Sequence, residues 1–233
     1  MSNVTPFRRR GAHQPDLAGG RGGGMVIIAV ASHGSGTGRT MLAAHIAVQA
    51  ETTGDGPVGI LDIDPKGDLF QWWTRRHGKM ESPAFGARCD LNSLTLTMES
   101  MAAAGARLCV IDTAAGDAAS LAYVAAVADL IVIPCDIDMA SAGEAAALGR
   151  ELSRQATIAF VANCRTHAGG EPGNALSAIS SGGGWPAGTV QHSRAYAIAM
   201  TAGRTVTESD AGSEAAQDIA ELWTTLRGIL VAG

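Results

Sequence analysis

The strongest constraint on this chain is a continuous apolar run over residues 25–31 that breaks into Ser32-His33-Gly34-Ser35-Gly36-Thr37-Gly38-Arg39-Thr40. A strand that is apolar at every position, without alternation, belongs inside a parallel sheet covered on both faces. A Gly-rich turn that leaves such a strand and opens a helix aims backbone N–H groups at one spot and adds the favourable helix dipole. That is phosphate-binding chemistry. Gly34, Gly36 and Gly38 alternate, clearing side chains where backbone would wrap an anion, and Thr40 supplies a hydroxyl of the kind that ligates Mg2+. The strict pattern G-x-x-x-x-G-K-[ST] is missed at His33 and at Arg39. Taken alone, the loop can also be read as a Gly-rich turn with no ligand.

Downstream, strand-like and helix-like segments alternate. Strands are expected at 25–31, 58–63, 107–111, 130–134 and 157–162, with an edge strand at 188–191. Helices are expected at 40–51, 69–77, 118–127, 140–154 and 213–231, and residues 169–185 read as a turn-rich stretch around a short helix. This alternation predicts a doubly wound α/β fold, a mostly parallel sheet with helices on both faces. No repeat or second domain is evident, so residues 25–233 are expected to form one domain. Residues 1–24 are Gly- and Arg-rich without a period and read as a flexible basic arm.

Composition narrows the classes. Apolar residues make up 46% of the chain, enough for a substantial core, while aromatics are only 4%, so close packing through Ala and Gly is expected. No apolar run approaches the roughly 18–20 residues of a membrane span. No apolar stretch follows Arg8-Arg9-Arg10 before Met25, so neither a secretory signal nor a membrane role is expected and the location is cytoplasmic. Cys89, Cys109, Cys135 and Cys164 fit no metal spacing and read as buried thiols. The net charge of −5 argues against a strongly nucleic-acid-binding surface, although Arg8, Arg9, Arg10 and Arg21 against Asp16 make the arm +3 and leave −8 for the rest.

Two further segments carry acids at strand ends, Asp62-Ile63-Asp64-Pro65-Lys66-Gly67-Asp68 and Ile111-Asp112-Thr113-Ala114-Ala115-Gly116. Carboxylates beside a phosphate loop can aim a water molecule and hold Mg2+ or its water shell. An acidic turn capping the next helix is the alternative for the first segment.

Together these residues resemble the ParA/MinD family of deviant Walker A P-loop ATPases, and its small plasmid-partition members in particular. The family loop runs K-G-G-x-G-K-[ST]. Its first lysine falls on Gly34, its first glycine on Ser35 and its second lysine on Arg39, so Gly36, Gly38 and Thr40 match and both lysines are missing. Asp62–Gly67 resembles D-x-D-P-Q-G, and Val110-Ile111-Asp112-Thr113 resembles Walker B, with Ala114-Ala115 where the family has two prolines. Residues 128–134 resemble A-D-x-V-L-I-P, and residues 203–208 resemble G-x-[ST]-V-x-E, so the likeness spans about residues 25–230.

The resemblance implies a SIMIBI/ParA-like P-loop NTPase with ATP and Mg2+ as cofactors. Gly34, Ser35, Gly36, Thr37, Gly38, Arg39, Thr40 and Met41 would hold the nucleotide, with Asn163 at the adenine edge. Thr40, Asp68 and Asp112 would serve the metal. Asp64, which would orient or deprotonate the attacking water, and Arg39 would be catalytic. An ATP-dependent homodimer, a ParB-like or other activating partner, weak nonspecific DNA binding and nucleoid association follow from the same resemblance. Because arginine does not replace lysine conservatively at a tight phosphate site, slow or partner-dependent hydrolysis is expected. A catalytically impaired scaffold acting through partner binding is the second reading. A dinucleotide-binding Rossmann enzyme is a third, begun by Gly34-Ser35-Gly36 and interrupted by Arg39 at its third glycine.

Overall fold

The computed structural model describes residues 17, 24–76, 82–136, 138–164, 179 and 183–232. The arm expected over residues 1–24 lies outside them, save for Gly24 and for Leu17, which is buried with the core. The turn-rich stretch expected over 169–185 likewise lies outside them, except for Ile179 and 183–185.

Seven parallel strands form one sheet: β1 (Val26–Val30), β2 (Val58–Asp62), β3 (Phe85–Arg88), β4 (Leu108–Asp112), β5 (Leu130–Cys135), β6 (Thr157–Asn163) and β7 (Trp185–Val190). Their spatial order is β3-β2-β4-β1-β5-β6-β7. β2, β4 and β5 are buried at every position, as their unbroken apolar runs require.

The helices are α1 (Arg39–Thr52), α2 (Asp68–Arg76), α3 (Leu91–Ala103), α4 (Ala118–Val127), α5 (Met139–Leu152), α6 (Arg194–Thr201), α7 (Val206–Ser209) and α8 (Glu214–Ala232). One face of the sheet packs on α1, α2, α6, α7 and α8, the other on α3, α4 and α5. The fold is therefore doubly wound.

The strand order decides where a ligand can sit. From β1 the chain crosses to β2 on one side, and from β4 it crosses to β5 on the other, while β1 and β4 are neighbours. The segments leaving their carboxyl ends diverge and open a crevice between them, the switch point at which open α/β sheets bind ligands. Residues 31–38 and 113–117 are those two segments.

Several elements depart from the sequence expectation. β3 and α3 were not anticipated, because Phe-Gly-Ala-Arg is a half-exposed edge strand without an apolar run and α3 carries Ser and Thr between its buried Leu94, Met98 and Met101. β7 starts at Trp185 rather than at 188; Pro186 is tolerated because the strand lies at the sheet edge, and the register shifts beside Gly188.

The central helix α1 is buried almost all round and includes His45. The Val206 N–H can only donate, so His45 Nε2 accepts it at 3.1 Å and Nδ1 donates to the Met41 carbonyl at 2.7 Å. The ring meets Tyr196 edge-on at 5.3 Å. Burial pushes the His45 pKa from 6.5 down to about 4, against the opposing pull of the Met41 carbonyl. The folded value lies below the unfolded one, so this contribution to stability is intact above pH 6.5 and is lost as the pH falls towards 4. Urea unfolding across that window should show the wild type losing about 3 kcal/mol more than His45→Gln. Parallel pH profiles for the two proteins would contradict it.

Candidate functional site

Residues 33–38 run as a tight loop from β1 into α1, with Gly36 at φ 70° and Gly38 at φ 89°, both in the left-handed region that favours glycine. Gly38 is constrained twice, since a Cβ there would lie 2.2 Å from the Asn163 amide nitrogen. That nitrogen donates to the Thr37 carbonyl at 2.6 Å, so Asn163, at the end of β6, braces the loop. Inside the turn, the Ser32 hydroxyl bonds the Gly34 carbonyl and the Thr37 hydroxyl, each at 2.9 Å. Ser35 and Gly36 stand exposed at its crest, and the α1 N-terminus opens directly behind them.

Arg39 is buried, and its guanidinium turns into the protein. Nε donates to the Thr113 carbonyl at 3.0 Å, and Nη1 donates to the Gly34 carbonyl at 2.6 Å and to the Ser32 hydroxyl. One side chain thus ties the loop to the residue that follows Asp112. Two backbone contacts reinforce the tie: the Gly116 N–H donates to the Ser32 carbonyl at 3.1 Å, and Thr113 Oγ1 donates to the Val30 carbonyl at 3.0 Å. A lysine, with its donors at one point, cannot reach both carbonyls in this forked way.

Asp112 ends β4 beneath the loop, 1% exposed. Thr40 Oγ1 donates to its Oδ2 at 2.6 Å, while Oδ1 is buried with no hydrogen-bond partner. Burial pushes the Asp112 pKa up to about 7; the Thr40 hydroxyl and Arg39 oppose the shift, and the Asp62 and Asp64 charges add to it. An orphaned carboxylate oxygen beside a threonine hydroxyl under a phosphate-type loop fits a hydrated divalent cation whose remaining ligands come from phosphate and water.

The other acids divide by role. Asp62 is fully buried and braces its own turn, accepting the Asp64 N–H on Oδ1 at 3.1 Å and the Phe70 N–H on Oδ2 at 2.9 Å. Burial raises its pKa, and those N–H bonds work against the rise. Asp64 is half-buried and close enough to act electrostatically on Asp112. Asp68 is exposed as the first residue of α2. Among the described residues no group of three or more His, Cys, Asp or Glu is placed to hold a metal.

Behind the loop lies a cavity of about 290 Å³ lined by Gly38, Met41, Asn163, Tyr196 and Met200, with Gln191 to Ser193 at its side. It is an apolar slot next to a phosphate-type loop, the size and character suited to a flat base. Met41 and Asn163 were expected here from sequence; Tyr196, Met200 and Gln191 were missed, because their segment shows no motif. Also missed was Glu144 of α5, whose Oε2 lies 4.0 Å from where a Cβ on Gly34 would sit. The position that holds a lysine in the resembling family therefore faces an acid.

No family model matches the sequence, and no curated protein aligns with it. Solved structures do match. The cell-division ATPase MinD of Pyrococcus furiosus superposes with a TM-score of 0.72 at 16% identity, over 88% of this chain and 99% of that one. The ATP complex of a Cyanothece McdA variant gives 0.64 at 15% identity, over 88% and 96%. A plasmid partition protein of Borrelia burgdorferi bound to AMPPNP gives 0.65 at 12% identity, over 87% and 98%. The chain has the fold of the ParA/MinD P-loop ATPases.

The folded pKa of Asp112 lies above the unfolded 3.8, so its ionisation opposes folding increasingly from pH 3.8 to about 7 and by a constant amount above. Asp112→Asn should therefore raise the melting temperature of the nucleotide-free protein, and raise it more at pH 8 than at pH 5. An equal or negative change at pH 8, measured by calorimetric melting, would contradict the burial of an uncompensated carboxylate.

Proposed function

We propose that this chain is a ParA/MinD-like ATP-binding protein that dimerises with ATP and positions or partitions DNA or another cargo, with slow or partner-dependent hydrolysis. The observation that carries the reading is Asp112 Oδ1, buried without a partner beside the Thr40 hydroxyl, under a Gly-rich loop at the sheet's switch point. Proteins of the same fold that hold ATP or AMPPNP support it.

In this reading the amides of residues 34–40 and the α1 N-terminus cradle the phosphates, and Met41 and Asn163 border the base. Thr40 and Asp112 would hold Mg2+, and Asp68, the third acid of this reading, stands exposed at the start of α2. ATP with Mg2+ supplies the transferable phosphoryl group and the neutralising charge. Asp64 aims the attacking water and accepts its proton. Arg39 brings positive charge under the phosphates, but its Nε and Nη1 are already committed to Thr113, Ser32 and Gly34. Donors spent on protein acceptors are not offered to the charge that develops on the phosphate, and this supports slow basal turnover. The same commitment, with glycine at position 34 and Glu144 beside it, favours the second reading, a ParA-fold scaffold that has lost turnover.

Titration calorimetry separates the two. Saturable binding of Mg2+-ATP, abolished in Asp112→Ala, is the expected result, and Arg39→Lys should then raise basal turnover by about tenfold as a compact ammonium replaces the committed fork. No heat of binding at millimolar ATP would overturn the proposal in favour of the scaffold.

A further inference from the structure

The turn that carries Asp64 is held from within its own segment, from α2 and from β3. From below, Asp62 accepts the Asp64 and Phe70 N–H groups. Within the turn, the Lys66 N–H donates to Asp64 Oδ1 at 2.9 Å and the Gly67 N–H donates to the Asp64 carbonyl at 2.9 Å. From α2, Gln71 Nε2 donates to the Lys66 carbonyl at 3.1 Å and the Gln71 N–H to the Gly67 carbonyl at 3.0 Å, and the last hold comes from β3. Arg88 ends that strand in register with Asp62 at the end of β2, and its Nη2 donates to the Pro65 carbonyl.

The same side chain lies flat across Gly67. A Cβ on Gly67 would sit 3.0 Å from Arg88 Nε and 3.2 Å from its Cδ and Cζ. Gly67 is also at φ 69°, so the backbone favours glycine there, and the exposed Arg88 side chain packs closely over it. Pro65 offers no N–H and its carbonyl sits at the exposed crest of the turn, so the Arg88 bond is an anchor that neither the turn nor α2 supplies.

We propose that Arg88 is a positioning residue for hydrolysis: it clamps the 64–67 turn and, with it, the Asp64 carboxylate. The inference rests on the reading of Asp64 as the residue that aims the water. Arg88 itself touches neither the loop nor Asp112; its effect passes through the Pro65 carbonyl and the cover over Gly67. Arginine fits this work because one planar group donates to a carbonyl while its face and stem cover a glycine backbone. Side chains that aim a catalytic group typically show themselves in turnover rather than in substrate affinity.

The test uses the full chain with Mg2+-ATP and three variants, Arg88→Ala, Arg88→Lys and Arg88→Met. Expected for Arg88→Ala is a fall in kcat of about tenfold with KM and calorimetric Kd within about twofold of wild type. Hydrogen exchange at the Lys66 and Gly67 amides should accelerate while that of β2 and β4 stays unchanged. Arg88→Met keeps the cover over Gly67 and loses the donor, so it should resemble alanine in kcat; Arg88→Lys should recover most of the rate. Wild-type kcat together with unchanged exchange at Lys66 and Gly67 in Arg88→Ala overturns the clamp. Asp64→Ala separates the two claims: full turnover in that variant overturns the reading of Asp64, and with it the catalytic part of this proposal. Should the wild type bind ATP without measurable turnover, exchange at Lys66 and Gly67 decides the clamp alone.

Discussion

A carboxylate placed at the end of a strand covered on both faces has almost no water to solvate it, and Asp112 is in that position. The sheet order forces the placement. β4 must lie between β1 and β2 for the chain to wind outward in both directions, so its last residue sits at the floor of the crevice those windings open. One oxygen is satisfied by Thr40, the first turn of the helix that follows the Gly-rich loop, and the other is left bare. Loop, helix α1 and β4 therefore meet at one unsatisfied charge. In the ligand-free state that cost appears as the Asp112 pKa raised to about 7, and a cation or its water shell at the bare oxygen would relieve it.

Arg39 sets the second condition. In a loop of this shape a lysine would offer a single ammonium, reaching phosphate and little else. The arginine fork instead joins the Gly34 and Thr113 carbonyls, linking the segment after β1 to the segment after β4 across the crevice. The site is thereby stiffened at the expense of free charge. The chain thus sets glycines, a threonine and acids around a loop that contains no lysine.

The sequence made the buried half of this architecture legible and left its margins hidden. Strands that are apolar at every position, such as β2, β4 and β5, announce themselves without a partner in view, and the glycines of the loop announce the turn. Asp112 and Thr40 were readable as a pair because each stands at a fixed offset from such a landmark. β3 was not, since its four residues are half-exposed and gain their order from pairing with β2. The same is true of function at the edges. Arg88 gives no signal in sequence, because its meaning lies in reaching back across 23 residues to the Pro65 carbonyl. Tyr196 and Met200 enter the apolar slot from α6, a short helix whose place is fixed by packing of His45 against Tyr196. Asp68, expected at the metal from its motif position, starts α2 at the surface.

The account turns on where phosphate and Mg2+ settle, and a crystal structure with a non-hydrolysable ATP analogue and Mg2+ addresses this most directly. The account predicts phosphate oxygens on the amides of residues 34–40, the metal between Thr40 and Asp112 Oδ1, and the base in the slot beside Asn163 and Met41. Soaked crystals showing Asp112 Oδ1 still bare and no nucleotide at millimolar concentration would contradict it.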